Sequence, residues 1–135
     1  MALMTWKNEY SVNINVIDSQ HKRLVDLLNQ IFDASQAGQG KTVVEKILND
    51  LVTYTKVHFS TEEDFMKKHS YPGFPQHKVA HDKLTKQVLE FQQEYRAGRS
   101  TLSVELMQFL RDWLQGHIVG TDKLYTPFLN AKGVR

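Results

Sequence analysis

The chain has 135 residues, a formal net charge of +2 with acidic and basic residues interleaved, and no cysteine. That length suits one domain with a real core. The balanced charge leaves no basic stripe for nucleic acid or an anionic membrane surface. The missing thiols exclude disulfides, iron–sulfur ligation and thiolate zinc sites, so any metal must be held by nitrogen and oxygen. The start, MALMTWKNEY, lacks the basic and apolar regions of a secretory leader, and no apolar run approaches the roughly 18 residues of a membrane span. A soluble cytoplasmic protein with no membrane insertion is expected.

Residues 1–17 are mixed, and Val12, Ile14 and Val16 alternate with polar residues, which reads as an extended arm packed on the rest. Asp18 suits a helix N-cap, and His21, Leu24, Leu28, Ile31 and Phe32 then recur at helical spacing until Gly38 and Gly40, giving a first helix over about 18–37. A second helix, about 42–68, carries Val44, Ile47, Leu48, Leu51, Tyr54, His58, Glu62, Phe65 and Met66 on one face. The run from His69 to Pro75 holds two prolines and a glycine and reads as a turn. His77, His81, Leu84, Val88, Phe91 and Tyr95 mark a third helix over about 75–97. Leu102, Leu106, Phe109, Leu110, Trp113, Leu114, His117 and Ile118 mark a fourth over about 101–129, disturbed near Gly116, Gly120 and Pro127. Short connections favour antiparallel neighbours, so the expected fold is an all-α, up-down-up-down four-helix bundle filling one domain over 1–135.

Seven polar residues occupy positions that such a bundle should reject. His58 with Glu62, and His77 with His81, are four apart and therefore lie on one helix face. Alone, each pair would pass for decoration of a solvated surface. Both pairs, however, continue apolar stripes: Leu51 and Phe65 flank the first, and Leu84, Val88 and Phe91 extend the second. Antiparallel topology brings His21, His58, Glu62, His77, His81 and His117 to the same end of the bundle. Unpaired burial of such groups costs roughly 2–7 kcal/mol each, and more for a charge, so a shared partner is needed. Asp122 follows His117 by five residues, about 140° out of phase on a regular helix. It joins the others only if the backbone makes a π-type turn or a break, for which Gly116 and Gly120 offer freedom.

Zinc prefers about four donors, and calcium or magnesium prefers oxygen, whereas five imidazoles and two carboxylates suit two first-row ions, most naturally iron. Two six-coordinate irons need about twelve donor positions. Five nitrogens and two bridging carboxylates fill about nine, a shared oxide or hydroxide about two more, and about one stays open for a small ligand.

The ordered pattern His21, His58-Phe59-Ser60-Thr61-Glu62, His77-Lys78-Val79-Ala80-His81 and His117-Ile118-Val119-Gly120-Thr121-Asp122, with the entry segment Ile17-Asp18-Ser19-Gln20-His21-Lys22, resembles the hemerythrins, in particular single-domain bacteriohemerythrins. The resemblance covers nearly the whole chain. It implies that His77, His81 and His117 hold one iron, that His21 and His58 hold the other, and that Glu62, Asp122 and an oxide or hydroxide bridge them. It further implies reversible O2 binding at the iron with two histidines, in a carrier or store. Residues one turn from the ligands, Leu24, Phe59, Trp113 and Leu114, are the expected walls of a dry O2 pocket, besides serving as bundle core.

Two alternatives stand beside this expectation. One is an O2 sensor acting through a separate protein; the other is a diiron oxidoreductase acting on O2, peroxide or nitric oxide. A histidine-rich donor set leaves less negative charge to stabilise high-valent iron than the carboxylate-rich sets of diiron oxygenases, which favours a non-enzymatic role. O2 is the expected partner, with an O2-consuming or signalling protein as a further one, and the chain is expected to be a monomer. His69 falls off the ligand stripe and reads as solvent-facing. Trp6, Tyr10, Tyr54, Tyr125, Met66 and Met107 are assigned to packing.

Overall fold

A computed structural model describes residues 4–38, 41–98 and 104–135. Four main helices, α1 (Asn15–Gln36), α2 (Lys41–Lys68), α3 (Phe74–Arg96) and α4 (Val104–Gly116), form an antiparallel bundle with no strand among the described residues. None of the helices is long and apolar enough to cross a membrane. A π turn at His117–Thr121, a 3-10 turn at Asp122–Tyr125 and a short helix α5 (Thr126–Ala131) follow α4.

The fourth segment is therefore broken rather than continuous. The Asp122 backbone N–H donates to the carbonyl of His117, an i to i+5 bond that widens the turn by one residue. Pro127, in the first turn of α5, has no N–H to continue the preceding ladder and so begins a new helix. Leu102 lies outside the described residues, and Phe109, expected on the core face, is 44% exposed.

The arm departs from a simple extended strand. Asn8–Tyr10 is a 3-10 turn, and α1 starts three residues earlier than the expected Asp18. Val12, Ile14 and Ile17 are buried while Val16 is 44% exposed, so the apolar alternation changes to helical spacing at the helix start. Asp18 sits in the first helical turn and accepts bonds from the Val12 N–H at 2.8 Å and the Ser11 hydroxyl at 2.5 Å. Its carboxylate ties down the arm instead of capping the helix.

Two apolar clusters bracket the polar residues. The larger runs from Leu24 through Leu28, Ile31, Leu48 and Leu51 to Leu110 and Leu114 along the bundle axis. The smaller, built from Val12, Ile14, Ile17, Met66, Tyr125 and Leu129, closes the other end. Asn13 and Asn130 clasp this lid, since the Asn13 side-chain amide donates to Asn130 Oδ1 at 2.9 Å and that of Asn130 donates back to the Asn13 carbonyl at 3.1 Å. The seven polar residues are thus sealed between two greasy layers.

Candidate metal centre

His21 projects from α1, His58 and Glu62 from α2, His77 and His81 from α3, and His117 and Asp122 from the two ends of the π turn. All seven are at most 4% exposed. The Nε2 atoms of the five histidines each lie within 3.7 Å of a carboxylate oxygen of Glu62 or Asp122. Asp122 Oδ2 stands 2.7 Å from His21 Nε2 and 2.8 Å from His117 Nε2, while its other oxygen is 3.0 Å from His77 Nε2. Glu62 Oε1 is 2.5 Å from His58 Nε2 and 3.7 Å from His81 Nε2, and Glu62 Oε2 is 3.8 Å from His77 Nε2. Each carboxylate faces histidines on both sides.

The donor atoms fall into two overlapping groups: His21, His58, Glu62, His117 and Asp122, and then Glu62, His77, His81 and Asp122. Both carboxylates belong to both groups, which is what two bridged ions need. His117 stands between the groups, its ring 5.2 Å from that of His81 and 5.8 Å from that of His58. By donor distance it joins His21 and His58, whereas the family resemblance places it with His77 and His81.

The donor set fits metal ions. Glu62 Oε2 and His81 Nε2 are buried without a hydrogen-bond partner. Such orphans cost about 1–3 kcal/mol each unless something else satisfies them. Neighbouring donors at 2.5–3.8 Å have the spacing of atoms that each stand about 2 Å from one cation.

The electrostatics describe the protein without ions. Burial alone would lower every imidazole, and it does lower that of His21 and brings His81 down to about 3. His58 is raised because Glu62 and Asp122 outweigh that burial, and His117 is pushed up to about 10 against its own desolvation, with Asp122 the larger contributor. Burial would raise both carboxylates, yet the histidines beside them hold Glu62 at about 2 and Asp122 well below its ordinary value. Two buried carboxylates are thus balanced by two raised imidazoles. Cations that replace those protons must expel them.

The outer ring nitrogens are treated unequally. His58 Nδ1 donates to Gln20 Oε1 at 2.8 Å, and the Gln20 amide is oriented by donating to Thr61 Oγ1 at 3.1 Å. His81 Nδ1 donates to a Glu63 carboxylate oxygen at 2.8 Å. The Nδ1 atoms of His21 and His117 are buried with no partner. Sequence reading did not single out Gln20 or Glu63, although each directly adjoins a ligand, at positions 21 and 62.

Leu24, Trp113 and Leu114 are buried in the larger apolar cluster, and Phe59 is buried as well. Phe59 stacks flat on His81, with ring centroids 4.0 Å apart and planes at 4°, and it also leans on His117 at 4.9 Å. Tyr125 lies 5.3 Å from the His77 ring with its hydroxyl buried; burial, reinforced by Asp122 and Glu62, holds its phenol well above the ordinary value. His69 is half-buried in the turn after α2 and belongs to neither donor group. A cleft of about 300 Å³ between α3 and α4 is lined by Trp113 and His117 among others, and one of about 540 Å³ between the 71–73 turn, the start of α3 and Leu124 is lined by His77.

Fold and site together define a four-helix-bundle protein built to hold a pair of cations between shared carboxylates. Residues 12–129 match the family model described as the hemerythrin HHE cation-binding domain, and the chain belongs to that family. A bacteriohemerythrin of Methylococcus capsulatus is 39% identical over 132 residues, covering 97% of this chain and all of that protein. One from Stenotrophomonas maltophilia is 35% identical and covers 97% of this chain and 84% of its own length. A wild-type hemerythrin crystal structure superposes with a TM-score of 0.88 at 38% identity, over 95% of this chain and 98% of that one.

Proposed function

We propose that this chain binds O2 reversibly at a non-haem diiron centre and serves as an oxygen carrier or store rather than as an enzyme. The observation that carries the reading is the double sharing of Glu62 and Asp122 between two histidine groups in a sealed layer. Two ferrous ions held there would supply the electrons that reversible O2 binding draws on and returns. In this reading His77, His81 and His117 would hold one ion and His21 and His58 the other, Glu62 and Asp122 would serve both, and an oxide or hydroxide would be a further ligand.

The chain's own residues then have defined tasks. Gln20 and Glu63 accept the outer N–H of His58 and His81, which leaves Nε2 of each ring as a lone pair aimed inward. Neutral His81, kept uncharged by burial, needs no deprotonation before it can ligate. Leu24, Phe59, Trp113 and Leu114 keep bulk water from a bound small ligand and so oppose its loss by protonation.

The test is to reduce the iron-loaded protein without air, add O2, remove it, and follow the visible charge-transfer bands through several cycles. Bands that appear and vanish repeatedly support carriage. Irreversible conversion with steady consumption of a reductant would show an oxidoreductase instead.

A further inference from the structure

The two donor groups share Glu62 and Asp122 but differ in what stands behind their histidines. Behind His58 is the neutral carboxamide of Gln20, locked by Thr61, whose own hydroxyl donates to the Val57 carbonyl at 3.0 Å. Behind His81 is the carboxylate of Glu63, half-buried with 14% of its side chain exposed. Lys78 Nζ lies 3.7 Å from the second Glu63 oxygen and 2.5 Å from Asp82, so Glu63 is itself held in place. A carboxylate behind a ligating imidazole fixes the ring's tautomer and orientation and raises its basicity, whereas a neutral amide does the first without adding charge. Phe59 stacks on one face of the His81 ring, and Glu63 holds that ring at its outer edge.

We propose that Glu63 is a positioning residue for the metal centre: through the His81 Nδ1–H bond it strengthens binding of the ion on the His77 and His81 side and lowers that ion's reduction potential relative to its neighbour. The inference rests on the two-ion reading of the site. It makes the centre electronically unequal by a residue that touches no metal. Gln20 aligns His58 at the other ion without this charge.

Glu63→Gln keeps an acceptor for His81 and removes the charge; Glu63→Ala removes both. Metal-free protein is titrated with Co(II) alone under competition from a chelator, and the iron-loaded form is measured for reduction potential. Wild type is expected to take two Co(II), and Glu63→Ala to weaken one of them roughly 10–100-fold while leaving the other nearly unchanged. Glu63→Gln should recover most of that affinity yet shift the potential of one iron to more positive values. Nitrogen-15 NMR of the metal-free protein supplies a readout independent of loading: the His81 Nδ1–H resonance should persist in wild type and Glu63→Gln and vanish in Glu63→Ala. Equal tightness in all three proteins, equal weakening of both ions, or an unshifted potential in Glu63→Gln would overturn the proposal. Fewer than two Co(II) on the wild type would contradict the two-ion reading, while the imidazole N–H measurement would still decide the Glu63 bond.

Discussion

The two halves of the bundle use the same helical stripes for opposite purposes. Away from the site, Leu28 and Ile31 on α1, Val44, Leu48 and Leu51 on α2, Val88 and Phe91 on α3 and Met107 and Leu110 on α4 fill the interior with hydrocarbon. One or two turns along, the same faces of α1, α2 and α3 carry His21, His58 with Glu62, and His77 with His81, and the chain beyond α4 adds His117 and Asp122. Burial stabilises the first half directly, by roughly 25 cal/mol per Å² of apolar surface. The second half buries ion pairs, whose desolvation offsets much of their attraction. Hydrocarbon gives the bundle its fold, and the polar layer depends on an occupant for its own cohesion.

Substitutions that attack one half and spare the other break this comparison most sharply. Asp122→Ala removes a carboxylate shared by both donor groups, and metal analysis is expected to find the two-ion complement lost while circular dichroism still shows a helical bundle. Retention of two ions would refute the shared role. Leu48→Ala makes a hole in the hydrocarbon half and should cost about 2–5 kcal/mol in denaturant unfolding, with both ions still bound.

A gentler probe is the pH dependence of thermal unfolding without metal. His117 has a folded value of about 10 against 6.5 for the free side chain, so its contribution is complete below 6.5 and is lost as pH rises toward 10. His81 is depressed to about 3 and costs stability as pH falls below 6.5, while Glu62, at about 2 against 4.5, loses its contribution as pH falls from 4.5 toward 2. The metal-free midpoint should therefore peak near pH 6.5 and fall on both sides. Metal loading should remove the alkaline fall and, at pH 8, release about one proton per chain or more, because His117 must give up its proton to ligate.

The smallest effect concerns the π turn. Neither Gly116 nor Gly120 has a left-handed φ, and a Cβ on either would meet nothing within 4 Å. Gly120→Ala should therefore leave metal content unchanged and stabilise the fold by about 0.5–1 kcal/mol. A large destabilisation would mean that the turn needs glycine after all.

Much of this was legible in the chain. His58 with Glu62 and His77 with His81 could be assigned to the interior because each replaced an apolar residue in an otherwise regular stripe, and regular stripes are what a sequence displays best. The five-residue step to Asp122 called for a π-type turn or a helix break, and the structure contains a π turn at His117–Thr121. Gly116 and Gly120 stay right-handed there, so the turn draws on no left-handed glycine conformation. The arm was harder, because the role of Asp18 depends on where Ser11 and Val12 fold back, a tertiary contact with no local pattern. Gln20 and Glu63 were overlooked for a related reason. As polar neighbours of ligands on half-exposed positions they look like any solvated residue until distances show which ring nitrogen each one meets.

Sharing of Glu62 and Asp122 by two cations inside one buried layer underlies every role proposed for the site. Anaerobic loading with Fe(II), removal of loose metal and determination of iron per chain test it most directly. Two irons per chain, falling below two in Asp122→Ala, is the expected result. One iron per chain, or tight binding of a single zinc in preference to a pair, would contradict it.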